Sequence, residues 1–306
     1  MGAVVDRSLE WVINLLTSCS EKSNGRFTIM PGHSSLSPKL MIAMDHENWG
    51  SCFVHVAQGD SAALLRNELL AIKRCHDLGL SNHVPKVLHW EDTGSLVAYA
   101  VPQFGPANPL SLEVAANLIC PIHLATGTRA QIGDTPLLAS LQDWHKSVQD
   151  SSADLAKVLS LGSKLNIWVM VSMIHRDFGW DNILSNGNDS VIIDWEWTQP
   201  NYPAVFDLFQ YFVTTEASIQ ANLKRVSTLI ESPEVAIPDD LAPLYVESLE
   251  REKLQVLVGL WLADYLKIRF QLAQKTGLDD PNKLEAGTWL STWSSIVSDS
   301  QQTVAG

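Results

Sequence analysis

Residues 175–182 read His-Arg-Asp-Phe-Gly-Trp-Asp-Asn, and residues 191–196 read Val-Ile-Ile-Asp-Trp-Glu. Between them, an Asn-Gly pair at 186–187 is a strong turn signal with a short apolar run on each side, which predicts a tight hairpin. Such a hairpin would carry Asn182 at one end and Asp194 at the other. We therefore expect these two oxygen-bearing side chains to lie close together.

Three side chains in these segments have the chemistry that phosphoryl transfer requires. Asp177 can receive or orient the proton of an attacking hydroxyl, while Asn182 and Asp194 can hold Mg²⁺ against the phosphates of a nucleotide. Each of the three residues, taken alone, is more often structural. The ordered set indicates phosphoryl transfer more strongly, because both motifs and the intervening hairpin occur in the required sequence.

Residues 175–182 match the H-R-D-x-x-x-x-N catalytic loop of protein-kinase-like enzymes at all four fixed positions. In Asp194-Trp195-Glu196, an aromatic residue and Glu follow the Asp, and this resembles the aminoglycoside phosphotransferase and choline kinase branch of that superfamily. The resemblance implies an α+β, bilobal protein-kinase-like fold with an antiparallel sheet and a helix in the N-lobe and a mainly α-helical C-lobe. It also implies Mg²⁺-dependent transfer of phosphate from ATP or GTP to a hydroxyl of an aminoglycoside, a choline-like alcohol, a sugar or a related small molecule. In relatives, the Asp corresponding to Asp207 buttresses the catalytic loop.

The pattern of predicted elements agrees with this architecture. The N-lobe elements are a helix at about 6–19, strands at 26–30, 39–44 and 52–57, a helix at 61–78, and strands at 84–90 and 96–101. We place the lobe boundary after them, with an N-lobe at 1–103 and a C-lobe at 104–306. The later C-lobe helices are expected at about 203–215, 219–230 and 241–274.

The third strand departs from the family pattern. Relatives usually have Val-x-Lys-Val there, but residues 53–56 read Phe-Val-His-Val, so His55 takes the Lys position, with Glu68 as its expected helix partner. Three interpretations stay open. A protonated His55 could contact the phosphates, because Glu68 and the phosphates favour its charged form. Lys39 could reach them instead, or the protein could be a catalytically impaired, pseudokinase-like partner that binds a nucleotide or sugar for another enzyme.

The resemblance implies further binding residues. For the nucleotide they are Ser34 and Ser35 in the loop expected to cover the phosphates, and backbone groups near Val101 and Gln103 at the adenine edge. For the acceptor they are Glu196, Trp197, Tyr202 and Asp264, whose acidic and aromatic side chains suit a cationic compound or a sugar face. Core packing is an equally good explanation of the aromatic residues.

Composition limits the partners. The net charge of −13 argues against a nucleic acid, and no apolar run reaches the length of about 20 residues needed to cross a bilayer. The four cysteines are far apart and show no C-x-x-C spacing, so we expect free thiols in a reducing cytoplasm. No feature of the sequence sets the oligomeric state.

Overall fold

The computed structural model describes residues 28–31, 39–107, 109–148, 153–186, 189–214, 219–276 and 287–297. The predicted helix at about 6–19 and the predicted phosphate loop, with Ser34 and Ser35, lie outside these residues. The described residues divide into two compact units. The first contains those up to 107 together with Asn182–Thr198, and the second contains the rest. That residues 1–103 and 104–306 act as separate domains stays a prediction.

The first unit contains a five-stranded main sheet and one helix, which follow one another along the chain in the predicted order. They are β1 (Thr28–Pro31), β2 (Leu40–His46), β3 (Gly50–Gln58), α1 (Asp60–Asp77), β4 (His89–Asp92) and β5 (Leu96–Pro102). Neighbouring strands pair antiparallel in the order β1-β2-β3-β5-β4. Ile42 and Val54 are opposite each other in β2 and β3 and both are fully buried, so one face of the sheet forms a hydrophobic core.

The predicted strand at 84–90 is wrong in its first part, since β4 begins only at His89. Pro85 cannot donate to a strand ladder because it has no N–H, and its carbonyl is instead hydrogen-bonded to His76 Nε2 at 2.8 Å. Helix α1 ends close to where the sequence predicts. Gly79 follows it with a φ of 77°, a conformation that glycine adopts without steric cost.

The predicted hairpin is present in the first unit. Strands β8 (Ile183–Asn186) and β9 (Asp189–Ile192) pair antiparallel, with Ile183 opposite Ile192. At the open end, Ile193 N donates to Asn182 O at 2.9 Å. A backbone hydrogen bond therefore connects Asn182 with the residue that precedes Asp194, as the spacing of the two motifs predicts.

The second unit is mainly helical and also contains a three-stranded antiparallel sheet that the sequence did not predict. The sheet has the order β10-β7-β6. Its strands are β6 (Thr128–Gln131), β7 (Trp168–Ile174) and β10 (Gln199–Pro203). The helices are α2 (Leu112–Thr126), α3 (Pro136–Ser147), α4 (Ala153–Lys164), α5 (Val205–Thr214), α6 (Ile219–Glu231), α7 (Ala242–Tyr245) and α8 (Arg251–Thr276), and residues 287–297 are also helical.

The single helix predicted at 241–274 is wrong, because the chain leaves the helical conformation between α7 and α8. There Val246 forms an isolated antiparallel bridge with Val169, and Glu247 N donates to Trp168 O at 3.2 Å. The backbone of this segment is thus used by the edge of the sheet, a long-range pairing that local periodicity does not show.

Three of the four cysteines, Cys52, Cys75 and Cys120, are described, and each is a buried thiol that is not part of a disulfide. None of the described helices combines the length and apolar content needed to span a membrane.

Gly259, on α8, provides a test of packing against residues 287–297. A Cβ added at Gly259 would lie 2.5 Å from the Trp293 ring, whose Nε1 donates to Gln255 O at 2.7 Å. We expect Gly259→Ala to lower the free energy of unfolding by about 1–3 kcal/mol in urea titrations, because the buried indole must shift. Gly133→Ala, with no atom within 4 Å of the added Cβ, is the matched control. Equal stability of the Gly259 variant and the wild type would contradict this packing.

Candidate functional site

The loop that contains the first motif follows strand β7 and is held by one buried carboxylate. Asp207, on α5, accepts hydrogen bonds from His175 N at 2.8 Å and from Arg176 N at 2.9 Å. Arg176 has a φ of 67°, in the left-handed region that non-glycine residues rarely adopt. Asp207 therefore fixes the backbone immediately before Asp177, which is the buttressing contact that the resemblance implies.

A buried histidine that the sequence did not single out completes this support. His123 Nε2 lies 3.0 Å from Asp207 Oδ2, and His123 Nδ1 lies 2.9 Å from the Tyr245 hydroxyl. All three groups are satisfied if Nε2 donates to the carboxylate and Nδ1 accepts from the tyrosine. No motif marks His123, because its partners are far away in the chain.

Asp177 is partly buried, and its backbone is well fixed. Its N–H lies 3.3 Å from His175 Nδ1, and its carbonyl accepts from Gly179 N at 2.9 Å. A Cβ at Gly179 would lie 2.6 Å from Asp181 Oδ1. A larger residue at position 179 would therefore displace the end of the Asp181 side chain.

In the first unit, the fold brings one cation and three carboxylates together, which we name the lysine–carboxylate cluster: Lys39, Glu68, Asp194 and Glu196. Lys39 Nζ lies 2.5 Å from Asp194, 3.3 Å from Glu196 and 3.8 Å from Glu68. Lys39 immediately precedes β2, Glu68 lies on α1, and the other two follow β9. Asn67 Nδ2 donates to the carbonyls of Glu196 and Thr198, so α1 is attached to the segment that carries both acids.

The charges of this cluster are not balanced. Burial alone would lower the pKa of Lys39, but Glu68, Asp194 and Glu196 outweigh burial and raise it, so Lys39 is cationic. Burial, followed by repulsion from Asp194, raises the pKa of Glu196 to about 7, against the opposing effect of Lys39. The oxygen atoms of the three carboxylates lie within 4.8 Å of one another. Three acids facing one ammonium group leave excess negative charge, and hard divalent cations prefer such an oxygen set.

His55 does not supply a second cation in this structure. Burial, together with the nearby Lys39 charge, lowers its pKa to about 3, so the imidazole is neutral near pH 7. The ring stacks on Tyr99 with centroids 4.9 Å apart, and Nδ1 has no hydrogen-bond partner within the described part of the chain. The cation of this site is therefore Lys39 and not His55.

A cavity of about 270 Å³ lies in the first unit beside the cluster. Its walls are mainly apolar, and Glu68, His55 and Tyr99 provide the polar groups. The apolar lining includes Met41, Phe53, Val101, Phe104, Leu184 and Ile193. Because Glu68 belongs to both the cavity and the cluster, the apolar space and the charged groups are continuous.

Of the two residues predicted at the adenine edge, Val101 lines the cavity. Gln103 does not, since its N–H is used internally and donates to Ser51 O at 2.9 Å. The next residue, Phe104, also lines the cavity.

The four acceptor candidates are not brought together within either unit. Glu196 is part of the lysine–carboxylate cluster, and Trp197 is a partly buried residue near it in the chain. Tyr202 and Asp264, in the second unit, both contact Arg176. Their proximity depends on the tertiary fold, so sequence spacing gave no signal for it.

Comparison with known proteins gives a likeness of fold. No family model matches the chain, and no curated protein matches its sequence. A macrolide 2′-phosphotransferase from Brachybacterium faecium is 12% identical, with 93% of this chain and 98% of that chain covered and a TM-score of 0.54. A structure named as a fructosamine-3-kinase from Haemophilus somnus 129PT is 10% identical, with 90% of each chain covered and a TM-score of 0.51. The predicted resemblance and fold class are confirmed: the chain has the α+β fold of protein-kinase-like small-molecule phosphotransferases.

The low pKa of His55 gives a pH dependence that can be measured. In the unfolded chain His55 should titrate near pH 6.5, whereas in the folded protein its pKa is about 3. Between these values the unfolded state binds the extra proton, so stability is lost as the pH falls, by up to about 1.4 kcal/mol per pH unit from this residue. Urea titrations from pH 7 to pH 4 should show a weaker pH dependence for His55→Phe than for the wild type. Parallel curves for the two proteins would disprove the assignment of a neutral His55.

Proposed function

We propose that this protein is a Mg²⁺-dependent phosphotransferase that moves the γ-phosphate of ATP, or of GTP, to a hydroxyl group of a small molecule. The observation that carries this proposal is the lysine–carboxylate cluster at the polar end of the apolar cavity. A nucleotide base suits the apolar walls, and the charged groups suit its phosphates and metal ion.

The metal site would be formed by Asn182 and Asp194. Both supply the oxygen ligands that Mg²⁺ prefers, and the excess negative charge of the cluster supports binding of a divalent cation. A bound Mg²⁺ supplies charge neutralisation at the phosphates. Burial, followed by repulsion from Asp194, raises the pKa of Glu196, and the repulsive part of this shift supports binding of additional positive charge.

Lys39 would contact the phosphates, and Glu68 would orient it. Met41 lies two residues after Lys39, so both side chains project from the same face of the chain, and Met41 lines the cavity. Met41 is also directly opposite His55 in the β2–β3 ladder. The ammonium group of Lys39 is therefore supplied next to the position where relatives have their Lys, but from the neighbouring strand.

Asp177 would be the base that receives or orients the proton of the acceptor hydroxyl. Its role is supported by the fixed backbone around it, since a catalytic carboxylate must be held in a productive orientation.

The acceptor would be a small hydroxyl compound. The two structures with the same fold are named for a macrolide and for fructosamine, and both names refer to small molecules. The net charge of −13 favours a neutral or cationic acceptor over an anionic one or a nucleic acid. The pseudokinase-like alternative depended on the missing Lys of β3, and the position of Lys39 beside Glu68 and Asp194 supports the catalytic proposal over it.

The role of Asp177 can be tested by Asp177→Asn. We expect turnover of Mg²⁺–ATP with kanamycin, choline or glucose as acceptor to fall by about 10²–10⁴-fold, because the general base is lost. Mg²⁺–ATP binding, measured by calorimetry, should persist. Asp239→Asn, at an exposed position, is the control. Wild-type turnover in the Asp177 variant would refute the proposed mechanism.

The role of Lys39 can be tested by moving its charge. Lys39→Met should weaken Mg²⁺–ATP binding and turnover by at least about tenfold, since a charge-assisted contact to phosphate is lost. The double variant Lys39→Met/His55→Lys should recover part of the Mg²⁺–ATP binding and part of the turnover, because residue 55 lines the cavity beside the cluster. His55→Lys alone should gain nothing, since Lys39 is already present.

Lys86→Met, at an exposed position, controls for the loss of a positive charge. If Lys39→Met binds and turns over Mg²⁺–ATP as the wild type does, the phosphate contact is not made by Lys39.

A further inference from the structure

Asp264 lies on α8, far in the chain from the catalytic motifs, and it is tied to the residue that precedes Asp177. We infer that Asp264 is a positioning residue for the proposed phosphotransfer: it holds the Arg176 side chain and thereby the backbone that carries Asp177. This inference rests on the proposed function, and it gives Asp264 a role other than the acceptor contact predicted from the sequence.

The contact between the two side chains is bidentate and shielded from water. Arg176 Nε donates to Asp264 Oδ2 at 3.0 Å, and Arg176 Nη2 lies 2.7 Å from both Asp264 oxygens. The side chains are only 10% and 5% exposed. Planar, bidentate pairing fixes the guanidinium in orientation as well as in position, which a single ammonium contact would not do.

Arg176 is consequently held at both of its ends. Its N–H donates to Asp207, and its guanidinium is bound by Asp264. The φ of 67° at Arg176 is costly for a residue with a side chain and persists only where surrounding contacts impose it. Asp177 is the next residue, so the contacts that impose this conformation also set the direction in which the chain presents the Asp177 carboxylate.

Further contacts in the second unit surround the pair of Arg176 and Asp264. The Arg176 guanidinium lies over the Tyr202 ring, 5.2 Å from its centroid, and the Tyr202 hydroxyl is hydrogen-bonded to the Ser140 side chain. Lys267 Nζ contacts the carbonyl and hydroxyl of Ser140. Lys267 is three residues after Asp264, on the same side of α8. Tyr202 and Asp264 are thus both engaged with Arg176.

The same contacts would be seen if the Arg176–Asp264 pair only stabilised the fold and did not position the loop. Kinetic measurements distinguish a positioning role from a purely stabilising one. Asp264→Asn keeps the shape of the side chain but opposes an amide to the guanidinium. We expect its kcat for phosphoryl transfer, with the best wild-type acceptor among kanamycin, choline and glucose, to fall by about 10–100-fold, as for a small misplacement of a catalytic group. The dissociation constant of Mg²⁺–ATP should stay within about twofold, because the nucleotide groups lie in the first unit.

Asp143→Asn is the matched control, since Asp143 also pairs with a cation, Lys146 at 3.2 Å, but both side chains are exposed. It should retain wild-type kcat. If Asp264→Asn folds poorly, the double variant Arg176→Met/Asp264→Leu removes both buried charges at once, a replacement that proteins often tolerate without loss of stability. A positioning role predicts a folded double variant with low kcat.

Two outcomes would overturn the inference: wild-type kcat in Asp264→Asn, or recovery of wild-type kcat together with stability in the double variant. Both require an active wild type in the same assay. A folded wild type that binds Mg²⁺–ATP but transfers phosphate to no acceptor would instead overturn the proposed function, and this inference with it.

Discussion

A single buried carboxylate, that of Asp207, determines the conformation of the loop that carries Asp177. Removing a charged group from water costs free energy unless hydrogen bonds replace its hydration. Here the backbone N–H groups of His175 and Arg176 and the imidazole of His123 replace it. The same hydrogen bonds that compensate the buried carboxylate also hold two consecutive peptide groups in place. Burial of Asp207 and the conformation of the loop therefore depend on each other.

The lysine–carboxylate cluster solves the burial of charge in a different way. Asp207 is satisfied by backbone and imidazole donors, whereas Glu68, Asp194 and Glu196 share one cation, Lys39. Burial, followed by repulsion from Asp194, raises the pKa of Glu196, and the opposing effect of Lys39 does not cancel this shift. The first arrangement produces rigidity and the second produces a readiness to bind positive charge. A phosphotransferase needs both, one around its base and the other around its nucleotide.

Local signals were sufficient for the main elements of the fold. The Asn-Gly turn predicted the β8–β9 hairpin, and apolar alternation followed by a helical stripe predicted β2, β3 and α1 in order. The failed prediction of a single helix at 241–274 is a case where a distant partner decides. Val246 leaves the helical pattern because it pairs with Val169, and the edge of the second sheet takes the backbone of the residues that follow.

The candidate site shows the same division. Asp177, Asn182 and Asp194 could be chosen as candidates because each belongs to a short sequence motif. The choice between Lys39 and His55 was not, since it depends on the register of β2 against β3 and on how deeply each side chain is buried. His123 and Asp264 act through partners that are more than 80 residues away in the chain, and one sequence contains no record of such pairs.

The left-handed backbone of Arg176 has an evolutionary consequence. Glycine at position 176 would adopt this φ without strain. It has no guanidinium, however, so Asp264 on α8 would become a buried carboxylate without its cationic partner. Positions 176 and 264 should therefore covary among homologues, with an acid retained at 264 where 176 is arginine and an uncharged residue there where 176 is glycine. Lineages would move between the two states by paired rather than single substitutions.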